Sequence, residues 1–275
     1  MGNSITRVAA IQMVSGSDVD VNLGNAAGLI DRAVADRATF LLLPENFAIM
    51  GRTEQDKLSV MEPFGQGPIQ SFLAEQAHTH GIWLMGGTIP LRADVPGKVR
   101  AGCLLFNPGG RCVSRYDKIH LFDVAVGSEA RDIYNESATI EGGTEVTVAS
   151  TPFGHIGMSV CYDLRFPELY RRMHKDHVDI ITVPSAFTAT TGRAHWEILL
   201  RARAVENLCY VIASNQGGHH PDGRETWGHS MVISPWGEVL AMVENGAGLA
   251  CADIDPGHVQ ELRKRFPSLS HRKIN

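Results

Sequence analysis

The chain has 275 residues, 44% of them hydrophobic, and is long enough to bury a sizeable core. Its 25 basic and 30 acidic side chains give a formal net charge of −5, so we expect neither nucleic acid nor an anionic membrane as a partner. No apolar run resembles a signal peptide or approaches the roughly 20 residues of a membrane span, which predicts a cytoplasmic protein.

The chain opens with a predicted strand, helix and strand. The strand covers RVAAIQMV, and apolar residues at helical spacing predict a helix from Asn22. The continuous apolar run in TFLLLPE predicts a strand that is buried on both faces and ends at Pro44. This places Glu45 at the carboxyl end of a buried strand.

A second helix and three strands follow in the prediction. Pro68 is typical of a first helical residue and Gly81 of a helix terminator. The three strands are IWLMGGTI, GCLLF and RCVSRYDKI, and the turn residues NPGG predict a hairpin between the last two.

A long ordered loop is predicted from Glu129 to Gly143, where periodicity is weak and polarity high. The predicted strands beyond it are EVTVAS, IGMSV, DIITVPSA, CYVIAS, the two arms of HSMVISPWGEVLAMV, and LACADI; the predicted helices are PELYRRMHKD, AHWEILLRARAVENL and HVQELRKRF. Interleaved helices, strands and hairpins indicate an α/β fold with mixed sheets. Because no linker or repeat interrupts the pattern, we expect a single domain over residues 1–275.

Cys161 lies between the strand IGMSV and a predicted helix start near Pro167. Such a turn would expose the thiol to solvent and to the helix dipole, although a buried structural cysteine remains the alternative. The chain has five cysteines, an odd number, and no CxxC pair, as expected of free thiols in a reducing compartment.

Two further strand ends carry groups that a cysteine nucleophile needs. Burial of Glu45 would raise its pKa and suit it to proton transfer near neutral pH. Lys118, at the end of RCVSRYDKI, could hold a developing oxyanion. Because the ends of strands in one sheet converge, we expect Glu45, Lys118 and Cys161 to meet at one edge.

The segments LLLPENF, RYDKIHLFD and VCYDLRFPEL resemble, in order, the three signature segments of the nitrilase superfamily of carbon-nitrogen hydrolases. The resemblance covers nearly the whole chain and implies a four-layer αββα sandwich that forms a homodimer or a higher homo-oligomer. It implies a Glu-Lys-Cys triad of Glu45, Lys118 and Cys161, with the backbone N–H of Tyr162 in the oxyanion site. The YNES segment implies that Glu136 is the second glutamate of the family.

The resemblance also implies an amidase that works through a cysteine thioester, releases ammonia and needs no metal or cofactor. The segment PSAFTATTGRAHWEILLRARAVEN is similar to the Nit1-like branch, which hydrolyses deaminated glutathione, and to the omega-amidase branch, which acts on 2-oxoglutaramate. Ser185 and the His219-His220 loop favour the first. Tyr162, where true nitrilases carry tryptophan, argues against nitriles as substrates.

Both small-molecule substrates are 2-oxo acids, whose anionic group needs a donor. Arg165 is the nearest candidate, with an ion pair to Glu168 or Asp163 as the alternative. The family analogy assigns Phe187, Thr190 and Thr191 to the acyl pocket.

The histidines are expected neither to act as the base nor to bind a metal. His120 shares the face of Lys118, and we expect it to support the site rather than act as the base. The pairs His78/His80 and His219/His220 lack a third ligand, so we expect solvated residues rather than metal sites.

A non-catalytic binding module and a redox-sensing thiol protein remain alternatives from other functional classes. The three intact triad residues argue against the first. Nothing in the sequence places a resolving cysteine beside Cys161, which argues against the second.

Overall fold

The computed structural model describes residues 5–126, 133–174, 178–221 and 223–274. The strands in these residues are β1 (Thr6–Gln12), β2 (Phe40–Leu42), β3 (Trp83–Met85), β4 (Ile89–Arg92), β5 (Val99–Phe106), β6 (Cys112–Asp117), β7 (Asp123–Ala125), β8 (Ile133–Asn135), β9 (Thr147–Thr151), β10 (Gly154–Met158), β11 (Ile180–Thr182), β12 (Tyr210–Ala213), β13 (Gly217–His219), β14 (Glu225–Trp227), β15 (Ser230–Ile233), β16 (Val239–Val243) and β17 (Gly248–Ile254). The helices are α1 (Val19–Ala35), α2 (Asp56–Ser59), α3 (Pro68–His80), α4 (Pro167–Met173), α5 (Ala189–Asn207) and α6 (Pro256–Arg265).

Most strands form two mixed sheets. The first has the order β17-β1-β2-β3-β5. β3 and β4 pair with the same edge of β5, one after the other, and β6 pairs with the opposite edge. The second has the order β16-β15-β12-β11-β10-β9. In each sheet the three central neighbours, β1-β2-β3 and β10-β11-β12, run parallel, and the flanking strands are antiparallel.

The two faces of β1 explain the layering. Val8 and Ala10 belong to the large core shared with the second sheet, whereas Ala9 and Ile11 pack with residues of α1 and α3. Helices α4 and α5 contribute Tyr170, Trp196 and other apolar residues to the core on the second sheet. The molecule is therefore an αββα sandwich, as the resemblance implied.

Glycine breaks the strand that was predicted over IWLMGGTI. β3 ends at Met85 and β4 starts at Ile89, with Gly87 between them at φ +47°. A Cβ on Gly87 would lie 2.0 Å from the carbonyl oxygen of Pro44, the residue before Glu45. The prediction of one strand was wrong because this close backbone approach, invisible in the apolar pattern, turns the chain.

Replacing Gly87 by alanine is expected to destabilise the fold by more than about 1 kcal/mol and to lower activity, since the new Cβ must push Pro44 and Glu45 aside. The control is Gly97→Ala, because Gly97 also has positive φ, +78°, but has nothing within 4 Å of its would-be Cβ. Urea unfolding of both variants measures the difference. Equal losses of stability in the two variants would contradict the steric explanation.

Other boundaries also differ from the predictions. Helix α1 begins at Val19, capped by Asp18, and α5 begins at Ala189, where the Thr188 side chain accepts a hydrogen bond from the Thr191 N–H. Of the predicted loop from Glu129 to Gly143, residues 129–132 lie outside the described residues, and the rest includes β8 and a 3-10 helix, Glu136–Ala138. The hairpin β13-β14 was not predicted, because its sequence is polar and rich in glycine.

Within the described residues, no helix is both long and apolar enough to cross a membrane.

Candidate active site

Glu45, Lys118 and Cys161 meet in one cavity, although they come from both sheets. Glu45 lies beyond β2 and Lys118 directly follows β6, both in the first sheet, whereas Cys161 lies beyond β10 in the second. Lys118 Nζ is 2.7 Å from Glu45 Oε1. The three residues were expected at the edge of a single sheet. They come from two sheets instead, because stacking brings the strand ends of both sheets to a common edge.

Lys118 is held between two carboxylates. Its Nζ donates to Glu45 Oε1 and, at 2.8 Å, to Glu136 Oε1, and the residue is only 1% exposed. Burial opposes the charge, but the negative charges of Glu136 and Glu45 outweigh it and raise the lysine pKa well above its usual range. Lys118 is therefore a permanent cation, and its bonds to described residues use two of its three N–H donors.

Glu45 is ionised despite its burial. Desolvation raises its pKa, but the charge and hydrogen bond of Lys118 act in the opposite direction and leave the pKa below the ordinary value of 4.5. Its second oxygen, Oε2, accepts a hydrogen bond from the Ala186 N–H at 2.8 Å. The predicted upward shift was wrong, because the sequence does not reveal how closely Lys118 approaches.

Cys161 begins a short 3-10 helix, Cys161–Arg165, with a left-handed backbone at φ +49°. Its N–H donates to the Pro184 carbonyl at 2.9 Å, and the residue is 7% exposed. Burial and the charge of Glu45 raise the thiol pKa well above 9.0, against a smaller opposing effect of Lys118. The expectation of an exposed thiol was wrong, and this thiol needs a base, which Glu45 supplies within hydrogen-bonding reach.

The pH dependence of kcat/KM follows from these shifts. The active form has ionised Glu45 and neutral Cys161; the first is lost as pH falls through a pKa below 4.5, the second as pH rises through a pKa above 9.0. We therefore expect a plateau from about pH 5.5 to about pH 8.5, measured in buffers of constant ionic strength. A step near pH 6 to 7, typical of a catalytic histidine, would contradict it.

Glu136 and Tyr162 complete the immediate surroundings. Glu136 Oε2 accepts from the Phe122 N–H at 2.7 Å, so the carboxylate is fixed at both oxygens. Tyr162 follows Cys161 in the first turn of the 3-10 helix, where backbone N–H groups have no partner within the helix. Its N–H can therefore serve an oxyanion.

Asp163 joins the cysteine turn to the lysine segment, a role that sequence reasoning missed. Its fully buried carboxylate accepts from Tyr116 O–H at 2.7 Å, Val160 N–H at 2.8 Å and His120 N–H at 3.0 Å, and lies 2.7 Å from His120 Nδ1. The available signal was an acid two residues after the cysteine. The supporting role expected of His120 stays a prediction.

The cavity has a volume of about 540 Å³. Its lining includes the four residues Glu45, Lys118, Glu136 and Cys161 and all the predicted binding residues, namely Arg165, Phe187, Thr190 and Thr191. These eight residues therefore surround one space, which is large enough for a small organic molecule.

Arg165 faces the cavity between aromatic rings. Its guanidinium lies 5.2 Å from the Phe187 ring centroid and 5.7 Å from that of Tyr162, and Nη1 is 3.1 Å from His195 Nδ1. It forms no ion pair with a residue of the described part of the chain, so the alternative of a structural pair with Asp163 or Glu168 is wrong. Phe187 itself is buried against Trp196 at 4.8 Å.

The remaining histidines differ from expectation at one position. His219 is exposed and lines the cavity, but His220 is buried, with Nδ1 2.9 Å from the Ser15 carbonyl and Nε2 2.8 Å from Thr226 Oγ1. The prediction of a solvated His220 was wrong, because the residue lies within the unpredicted β13-β14 hairpin, where its ring contacts Thr226 of β14 and the Ser15 carbonyl. Among the residues that the structure describes, no group of three or more His, Cys, Asp or Glu side chains is placed to hold a metal ion.

Comparison with known proteins gives consistent matches. Residues 7–264 match the family model described as carbon-nitrogen hydrolase. The deaminated glutathione amidase of Synechocystis sp. is 43% identical over 96% of this chain and 97% of its own length, and that of Homo sapiens is 38% identical over 97% and 82%. The crystal structure of the C. elegans NitFhit protein superposes with a TM-score of 0.89 at 35% identity, covering 99% of this chain and 66% of that one.

Proposed function

Because the chain belongs to the carbon-nitrogen hydrolase family and is a hydrolase acting on amides, we propose that its substrate is deaminated glutathione, cleaved through a thioester on Cys161. The observation that carries this proposal is the cavity in which Cys161, Glu45 and Lys118 lie beside the guanidinium of Arg165. The names of the relatives from Synechocystis sp. and Homo sapiens support the choice of substrate.

The proposed reaction has two steps. Glu45 accepts the thiol proton as Cys161 Sγ attacks the amide carbonyl carbon, and the Lys118 ammonium and the Tyr162 N–H hold the oxyanion. Glu45 then gives its proton to the amide nitrogen, the C–N bond breaks and the amine leaves. In the second step Glu45 takes a proton from water as the water oxygen attacks the thioester carbon. The C–S bond then breaks, the carboxylic acid departs and Glu45 returns the proton to the Cys161 thiolate. Glu136 keeps Lys118 in place throughout.

The expected release of ammonia does not fit deaminated glutathione. Deaminated glutathione carries a secondary amide, so its hydrolysis releases 2-oxoglutarate and cysteinylglycine. Ammonia would be released only from a primary amide, such as 2-oxoglutaramate. An ammonia assay alone would therefore miss the proposed reaction.

We assign the carboxylate of the 2-oxo acid to Arg165. A carboxylate in this cavity needs a charged donor, and a planar guanidinium can bind it through two hydrogen bonds. The flanking rings of Tyr162 and Phe187 keep the guanidinium extended toward the cavity. Thr190 and Thr191, in the first turn of α5, complete the wall of the acyl pocket.

The test compares kcat/KM for deaminated glutathione, 2-oxoglutaramate and a simple aliphatic amide, following 2-oxoglutarate for the first two and ammonia for the third. We expect at least about a tenfold preference for deaminated glutathione, a difference of about 1.4 kcal/mol in the barrier. A preference for 2-oxoglutaramate would establish the alternative, an omega-amidase. Equal kcat/KM for the aliphatic amide and for deaminated glutathione would contradict the assignment of Arg165 to the substrate carboxylate.

We also propose a single catalytic domain that forms a homodimer or a higher homo-oligomer in the cytoplasm. Ile198 and Val205 of α5 and the neighbouring Trp236 are 70%, 48% and 56% exposed, an apolar face suited to a second copy. The five free cysteines support a reducing compartment. Light scattering of the wild type and of Ile198→Asp tests the assembly, and imaging of a tagged chain tests the location.

A further inference from the structure

Three aromatic rings form a continuous wall along the cavity, here called the aromatic wall (Phe122, Tyr134 and Tyr162). The centroid of Phe122 is 5.0 Å from that of Tyr134 and 5.1 Å from that of Tyr162. The wall has a guanidinium at each end: Arg165 lies 5.7 Å from Tyr162, and Arg224 lies 5.0 Å from Tyr134. All five side chains line the cavity, so a guanidinium lies at each end of its aromatic wall.

The Arg224 end contains a second cation. Arg224 Nη2 and Lys57 Nζ both bond Glu54, at 2.9 Å and 2.7 Å, and Lys57 is only 6% exposed. Desolvation acts to raise the pKa of Glu54, but these two cations outweigh it and lower the pKa to about 2, so Glu54 stays ionised. One carboxylate is thus shared by two cations, and these three residues are here called the far cluster.

The reaction chemistry decides which end faces the leaving amine. Glu45 must reach the amide nitrogen to protonate it, so the leaving group lies on the Glu45 side of the scissile bond. Arg165, on the short helix that begins at Cys161, is assigned to the acyl side of the site. Arg224 lies at the opposite end of the aromatic wall, so the far cluster is on the leaving-group side.

We propose that the far cluster binds a carboxylate carried by the leaving amine, so that the enzyme recognises a dianionic amide at both ends. The inference rests on the proposed function and assigns its leaving-group subsite to Arg224 and Lys57. The two carboxylates of extended deaminated glutathione are roughly 12 Å apart, which four steps of 5.0 to 5.7 Å along the wall can accommodate. 2-Oxoglutaramate lacks the second carboxylate and cannot use this subsite.

The test uses three substrates with the same acyl group: deaminated glutathione, its analogue with a carboxamide in place of the glycine carboxylate, and 2-oxoglutaramate. All three give 2-oxoglutarate, so one assay measures kcat/KM for each with the wild type, Arg224→Gln and Arg224→Lys. The matched control is Arg265→Gln, since Arg265 is exposed at the end of α6. Turnover of 2-oxoglutaramate reports whether each variant keeps an intact catalytic centre.

With the wild type, the carboxamide is expected to react at least about tenfold more slowly than deaminated glutathione, because a charge-assisted hydrogen bond is lost. Arg224→Gln should bring kcat/KM for deaminated glutathione to within about twofold of that for the carboxamide, while kcat/KM for 2-oxoglutaramate stays nearly unchanged. Arg224→Lys should recover part of the difference.

Equal wild-type rates for acid and carboxamide would overturn the inference. Equal losses on deaminated glutathione and 2-oxoglutaramate in Arg224→Gln would also overturn it and assign Arg224 to support of the wall. Failure of the wild type on all three substrates would instead overturn the proposed function.

Discussion

Replacing Cys161 by alanine is expected to lower kcat/KM for the proposed substrate by at least about 10⁴-fold, because no other group can form the thioester. The variant should keep its fold, since a small side chain still fits the turn and the N–H bond to Pro184 is unaffected. Substrate binding, measured by calorimetry, should be retained. Retained binding with abolished turnover separates a lost nucleophile from a lost pocket.

The control for this experiment is Cys112→Ala. Cys112 lies on β6, is partly exposed and is outside the residues that line the cavity. It should retain wild-type turnover. Significant hydrolysis by Cys161→Ala would refute covalent catalysis by Cys161, whereas binding without turnover by the wild type would favour the alternative of a binding module. Intact-protein mass spectrometry of Glu45→Gln with substrate provides a direct check, since a slowed second step should leave the acyl group on Cys161.

Replacing Lys118 by methionine is expected to have the next largest effect, on both activity and stability. The loss of a donor to the oxyanion costs about 10²- to 10³-fold in kcat. Glu45 would also remain buried, and Glu136 partly buried, without the cation that lies 2.7 and 2.8 Å from them, and a buried carboxylate left without its partner typically destabilises a fold by about 3–5 kcal/mol. Urea unfolding and steady-state kinetics measure the two effects.

The pH dependence distinguishes this explanation from a simple packing defect. Without Lys118, burial raises the pKa of Glu45, and the folded state binds a proton more readily than the unfolded state. The loss of stability should therefore shrink as pH falls from about 8 to about 5. Lys264→Met, at an exposed position of α6, should show neither effect. A stability loss that is independent of pH would refute the electrostatic account.

Much of the site could be predicted because its residues follow apolar runs. Glu45 comes after a continuous buried strand and Cys161 after another, and a period-two or continuous apolar pattern identifies such strand ends. The order of the three signature segments then indicated the four-layer fold. These features depend on local sequence, and local sequence was sufficient for them.

The rest depends on contacts between distant segments. The downward shift of the Glu45 pKa arises from a lysine 73 positions away. The break at Gly87 arises from the approach of Pro44, and the burial of His220 from a hairpin of mostly polar residues. Asp163 was considered only as a partner for Arg165, because its bonds to Tyr116 and His120 span more than 40 positions.

The division of the site between the two sheets has a consequence for the order of folding. Each sheet can complete its own hydrogen-bonded ladder while Lys118 and Cys161 remain apart, since they belong to different sheets. Activity can return during refolding only when the sheets dock and their shared core closes. The recovery of turnover after dilution from denaturant thus times the docking of the sandwich, whereas far-ultraviolet circular dichroism times the formation of its layers.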